Sequence, residues 1–87
     1  MKGVIIHLSD NQLAAVIACE TEDYMVVDLG KPGQFANGDL VDTQGLWFGE
    51  HGKILNKTSD RKVEASVQCI VRDLTSARHE CDDLQPN

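Results

Sequence analysis

Hydrophobic and polar positions alternate most regularly late in the chain, where Val63, Ala65, Val67, Cys69 and Val71 are separated by Glu64, Ser66, Gln68 and Ile70. That period of two predicts a strand over 63–71, with one face inward and the other mostly toward water. Three shorter apolar runs open the chain. Val4, Ile5, Ile6 and Leu8 make 3–8 a strand, because β-branched side chains suit a pleated surface. Ser9-Asp10-Asn11-Gln12 is a cluster of turn formers. Leu13 to Cys19 holds Ala14, Ala15 and Ala18, and alanine is the best helix former. The run is nevertheless short for a helix and sits between strand-like segments at hairpin spacing, so strand is the better reading. Glu20-Thr21-Glu22-Asp23 then turns the chain into a third strand over 24–29.

The middle of the chain is broken up by glycine and proline. Gly30-Lys31-Pro32-Gly33 interrupts any regular element, and Asn37-Gly38 leads into a fourth short strand at Asp39-Leu40-Val41. Gly45, Gly49 and Gly52 make the stretch around Trp47 and Phe48 a loop or broken strand. Lys53 to Leu55 forms at most a short pairing segment. Beyond Arg72 the chain turns polar. Thr75-Ser76 offers a cap for a short helix through Leu84, but Arg78 comes early and Asp82-Asp83 late, against the helix dipole. Gln85-Pro86-Asn87 follows, and a frayed or short helical tail is expected. The reading is all-β: a small five-stranded antiparallel barrel over 1–73, closed so as to remove exposed strand edges, with a polar acidic tail over 74–87. A five-stranded barrel of this length is what an OB-fold looks like.

Composition narrows the partners. The chain has 87 residues, room for one core. Its 8 Lys and Arg stand against 14 Asp and Glu, a net charge of −6, which opposes the wrapping of a polyanion. Nothing approaches the ~18 consecutive apolar residues of a membrane span. Polarity at Ser9-Asp10 comes too early for a signal-peptide apolar region, and three cysteines without a secretion signal suit a reducing compartment. The expected location is cytoplasmic.

Lys2-Gly3-Val4-Ile5-Ile6-His7-Leu8 followed by Asn11 to Ala18 resembles the opening of cold-shock and related RNA-binding OB domains. Asp23 to Leu29 is similar to their third strand, and Phe35-Ala36-Asn37-Gly38-Asp39-Leu40-Val41 to the approach to their fourth. The resemblance spans about half the chain and implies the barrel and single-stranded nucleic-acid binding. Fold is inherited this way more readily than function. In that family the outer face of the first three strands carries stacking aromatics. Here His7 falls at one such position, Leu13 and Ala15 replace the phenylalanines of the second strand, and Met25 and Val27 occupy those of the third. That register turns Asp28 inward, where an unpaired carboxylate is costly. A slip by one residue reverses the strand's faces and puts Tyr24 outside. Each lost stacking platform removes roughly 1–3 kcal/mol of single-strand affinity.

Other chemistry has little footing. Gly52-Lys53 fails as a phosphate loop, because Trp47 stands where a glycine is needed and Ile54 replaces the Ser or Thr. His79-Glu80-Cys81 is a tight local group without a second pair at zinc-site spacing, so no metal or other cofactor is predicted. A Cys–His dyad would have to join Cys19 or Cys69 to His7 in an acidic setting, which disfavours a reactive thiolate. No catalytic residues are assigned. Trp47 and Phe48 are the residues of most interest. Either one of them caps the open end of the barrel, or the pair forms an interface hot spot. The expected function is a non-catalytic module for protein contacts through Trp47, Phe48, Phe35, Tyr24 and His7, with exposed strand edges as a route to pairing a partner or a second copy. The alternative is a cold-shock-type oligonucleotide binder using Lys2, His7, Tyr24, Lys53 and Lys57. A third reading, an acidic imitation of nucleic acid, needs carboxylates spaced along one face.

Overall fold

In the computed structural model, which describes residues 1–84, the apolar runs form strands β1 (Lys2–Leu8), β2 (Ala14–Cys19) and β3 (Tyr24–Leu29). Strands β4 (Leu40–Asp42), β5 (His51–Asn56) and β6 (Arg61–Val71) follow, and helix α1 (Leu74–Asp83) ends the fold. The strand count is six rather than the expected five. The added strand grows from the Lys53–Leu55 segment, which pairs with β6 along its whole length, from His51↔Ser66 to Asn56↔Arg61.

The strands close into a barrel in the order β1-β2-β3-β6-β5-β4, every neighbouring pair antiparallel. Two three-stranded meanders thus lie side by side, with β1 against β4 and β3 against β6. Ile5, Ala15, Ile17, Met25, Val27, Val41, Ile54, Val63, Ala65 and Val67 fill the interior. Asp28 is exposed while Met25 and Val27 are buried, so β3 adopts the slipped register, with Tyr24, Val26 and Asp28 facing outward. An outward Asp28 keeps its solvation, and that cost decides the register.

Two irregularities divide the outer face. In β1 the pairing steps from Ile5↔Ile17 to His7↔Val16, leaving Ile6 as an extra residue. The bulge turns Ile6 and His7 to the same side of the sheet and returns Leu8 to the inner cluster. In β6 the pairing steps from Val27↔Val67 to Val26↔Cys69, leaving Gln68 extra. The uninterrupted alternation expected over 63–71 is therefore corrected. Val63, Ala65 and Val67 point inward, but beyond Gln68 it is Ile70 that packs on the inner core, while Cys69 and Val71 face outward.

Helix α1 covers that outward patch. Ala77 and Cys81 are buried against Ala14, Val16 and Val26, with Ile6, Tyr24, Cys69, Val71 and Leu84 around them. The cap is Asp73 rather than Thr75 or Ser76: its carboxylate accepts from the Ser76 amide at 2.8 Å. Residues 74–83 are helical, and Gln85-Pro86-Asn87 lies outside the described residues. The Ser76 backbone hydrogen bond, followed by its hydroxyl, holds the Asp73 carboxyl below its ordinary 3.8. A depressed carboxyl stabilises the fold above its ordinary value and ceases to do so as pH falls through the lowered one. Protection of the first-turn amides of α1, measured against their intrinsic exchange rates, is accordingly expected to fall below about pH 4. Asp73→Ala would lower this protection already at neutral pH, whereas Asp73→Asn, an equally good cap, would make it independent of this titration.

Candidate functional site

The segment between β4 and β5 is built to hold two aromatics outward. Gly45 and Gly49 take positive φ (84° and 80°), a region open to glycine and strained for most other residues. Between them Leu46 turns inward onto the core, where its Cδ2 lies 2.7 Å from the point a Cβ on Gly52 would occupy. The next two residues have no room inside: Trp47 is 50% exposed and Phe48 61%. The turn carrying them is closed by Glu50 N–H donating to Trp47 C=O at 3.0 Å and by Trp47 N–H donating to the Glu50 carboxylate at 2.7 Å. Gly49 N–H donates to Val67 C=O and Val67 N–H to Glu50 C=O, which tie the turn to β6. Leu46, rather than either aromatic, plugs this end of the barrel.

The other candidate residues lie elsewhere. Phe35 is 5% exposed and belongs to the inner core, so its side chain is a packing element and not a contact surface. Tyr24 and His7 both lie on the outer face beside α1 and away from the aromatic turn. Tyr24 is partly buried against the helix cluster, and His7 Nε2 is 2.8 Å from Asp82 Oδ1. Lys53 pairs across the sheet with Glu64. The face on which an oligonucleotide would stack is occupied by α1, and its outward residues on β2 and β3 are Ala14, Val16, Ala18, Tyr24, Val26 and Asp28.

The three thiols are free. Burial, then the Asp23 carboxylate, raises Cys19, and burial, then Glu80, raises Cys69. Cys81 is pushed up to about 11, by burial first and by Asp82 second. All three therefore stay protonated at neutral pH, the opposite of the activated thiolate a Cys–His dyad requires. Cys81 is not part of a solvated tail, as its sequence neighbours suggest: it is fully buried, while His79 is exposed and pairs with Asp83 at 3.3 Å. What sequence reading missed is the helix-covered patch. Its signal was present in the apolar Val16 and Val26 at outward positions, and in the stripe Leu74, Ala77, Cys81, Leu84 at helical spacing.

No helix among the described residues is long and apolar enough to cross a membrane. No family model matches the chain, and neither a curated protein nor a solved structure matches it. The fold and its side chains alone define the class: a small closed antiparallel β-barrel with one helix packed on its outer face.

Proposed function

We propose that this chain is a non-catalytic binding module that inserts Trp47 and Phe48 into an apolar pocket of a partner protein. The observation that carries this reading is the exposure of two adjacent aromatics on a turn closed by hydrogen bonds. Large aromatics anchor interfaces, and a turn already fixed in place loses little further entropy on binding. The net charge of −6 favours a partner whose pocket has a basic rim, with steering that weakens as salt rises. The oligonucleotide reading lacks comparable support, since α1 lies over the face it would use.

The test compares proteins retained by the wild type with those retained by Trp47→Ala/Phe48→Ala. Both side chains are exposed, so the variant's stability should stay within about 0.5 kcal/mol of wild type. A partner anchored there should bind about 30-fold more weakly, equivalent to about 2 kcal/mol. Emission from Trp47, the single tryptophan, should be that of a solvated indole and shift to the blue in the complex. Unchanged partner binding by the variant would overturn the proposal. So would salt-sensitive binding of a fluorescent single-stranded oligonucleotide by the wild type that weakens with Tyr24→Ala or His7→Ala.

A further inference from the structure

The β1 bulge and the seating of α1 bring His7 together with two side chains from the far end of the chain, Cys81 and Asp82. His7 faces outward only because the extra residue Ile6 shifts the pairing. On α1, Cys81 and Asp82 are consecutive, and consecutive helical side chains leave the axis about 100° apart. His7 lies where both can reach it: an imidazole nitrogen, the Cys81 thiol sulfur and an Asp82 carboxylate oxygen all lie within 4.8 Å of one another. We propose that His7, Cys81 and Asp82 form a site for a divalent transition metal of the zinc class, which clips helix α1 to the barrel.

The donor set fits that class. Imidazole, thiolate and carboxylate are all zinc ligands, whereas magnesium and calcium select oxygen-only sites. With Zn–N and Zn–O bonds of ~2.0 Å and Zn–S of ~2.3 Å, tetrahedral ligand atoms lie roughly 3.3–3.6 Å apart. The His7–Asp82 pair at 2.8 Å would therefore open slightly, and the sulfur, within 4.8 Å of both, would draw in by up to about 1.5 Å. These are movements of side chains on two elements already in contact. The protonated thiol gives up its proton to solvent as the metal–sulfur bond forms. A hollow of about 150 Å³ lined by Ser9, Asp10, Asn11, Asp82 and Leu84 adjoins the group on the Asp82 side. The site faces solvent through Asp82, which is more than half exposed, while its sulfur is sheltered beneath the helix. His79, the histidine nearest Cys81 in sequence, is turned to Asp83 and is not part of the group.

Reduced, metal-free protein titrated with Co²⁺, then with Zn²⁺ as competitor, tests the assignment. The expected result is one bound equivalent, with a thiolate-to-cobalt charge-transfer band in the near ultraviolet and visible bands of tetrahedral intensity. Cys81→Ser should abolish the charge-transfer band. Because Cys81 is buried, His7→Gln and Asp82→Asn serve as variants that retain its packing. Each should weaken binding about tenfold or more, at least the loss seen when a ligand's outer-shell partner is removed. Zinc should also slow amide exchange in the last turn of α1 in the wild type alone. Absence of the charge-transfer band in the wild type would overturn the proposal. So would wild-type affinity in both His7→Gln and Asp82→Asn, or a band lost with Cys19→Ser or His79→Gln instead.

Discussion

Ala77→Asp is expected to release α1 from the barrel while leaving the barrel itself folded. Ala77 is completely buried, and its methyl group sits among Ala14, Val16, Val26 and Cys81 with no cation in the cluster. An unpaired carboxylate there costs several kcal/mol if the helix stays docked. A ten-residue helix has little stability of its own in water, so undocking and unfolding of α1 are one event. The inner core draws no residue from α1, which is why the barrel should survive. Far-ultraviolet circular dichroism should lose its helical component, amides of Leu74–Asp83 should exchange freely, and a dye for exposed apolar surface should bind Ile6, Val16 and Val26. Ser76→Asp, on an exposed position one residue away, should do none of this. A docked helix and unchanged stability in Ala77→Asp would show that α1 is not seated by the apolar contact of Ala77 and Cys81 with Ala14, Val16 and Val26.

The same variant bears on function. Releasing α1 uncovers the face that the cold-shock resemblance associates with nucleic acid, yet that face offers only Tyr24 and the His7 imidazole as rings, among small aliphatic side chains and the Asp28 carboxylate. Stacking platforms are what such a face needs. Ala77→Asp should therefore gain no oligonucleotide affinity, and an increase would revive the alternative reading.

How far the sequence announces this architecture depends on how many faces of each strand are buried. In the first part of β6 one face is wet, so Val63, Ala65 and Val67 betray the strand by alternation. In β2 both faces are covered, by the core and by α1, and the pattern collapses to an apolar run that helix propensity explains almost as well. Register in β3 was legible from the cost of burying Asp28. The bulges at Ile6 and Gln68 were not, because one extra residue leaves composition unchanged and only reverses the phase. Trp47 and Phe48 stood out for their glycine-flanked setting, but their exposure follows from Leu46 taking the inward position, a tertiary fact. Phe35 misled for a related reason: an aromatic in a loop is as suited to plugging a barrel as to meeting a partner. The group at His7 was beyond reach, since it joins residues from opposite ends of the chain through a bulge and a helix seat.

Gly3→Val is expected to lower the melting temperature by on the order of 10 °C. Gly3 pairs with Cys19 on one side and Val41 on the other, at the seam where β1 closes the barrel between β2 and β4. A Cβ added there would lie 2.5 Å from Ile17 Cγ2 and 2.9 Å from the Ala18 carbonyl oxygen. The first contact is with a fully buried core side chain and the second with backbone in a paired strand, so neither can yield without moving β2. Overpacking of this kind costs about 1–3 kcal/mol, and each kcal/mol is worth about 4–8 °C in a domain of this size. The seam has little reserve, because β4 contributes only Lys2↔Asp42, Gly3↔Val41 and Val4↔Leu40 to its pairing with β1. Strain at Gly3 thus falls on a strand held to β4 by three pairs and to β2 by five, and the opening should begin between β1 and β4. Exchange at the amides of β4 should rise before that of β2 and β3. Gly30→Val is the control: a Cβ there meets nothing within 4 Å, and the change should stay within about 0.5 kcal/mol. Equal melting temperatures for the two variants would mean that β1 can shift away from β2 freely, and that closure at this seam does not depend on the absence of a side chain at Gly3.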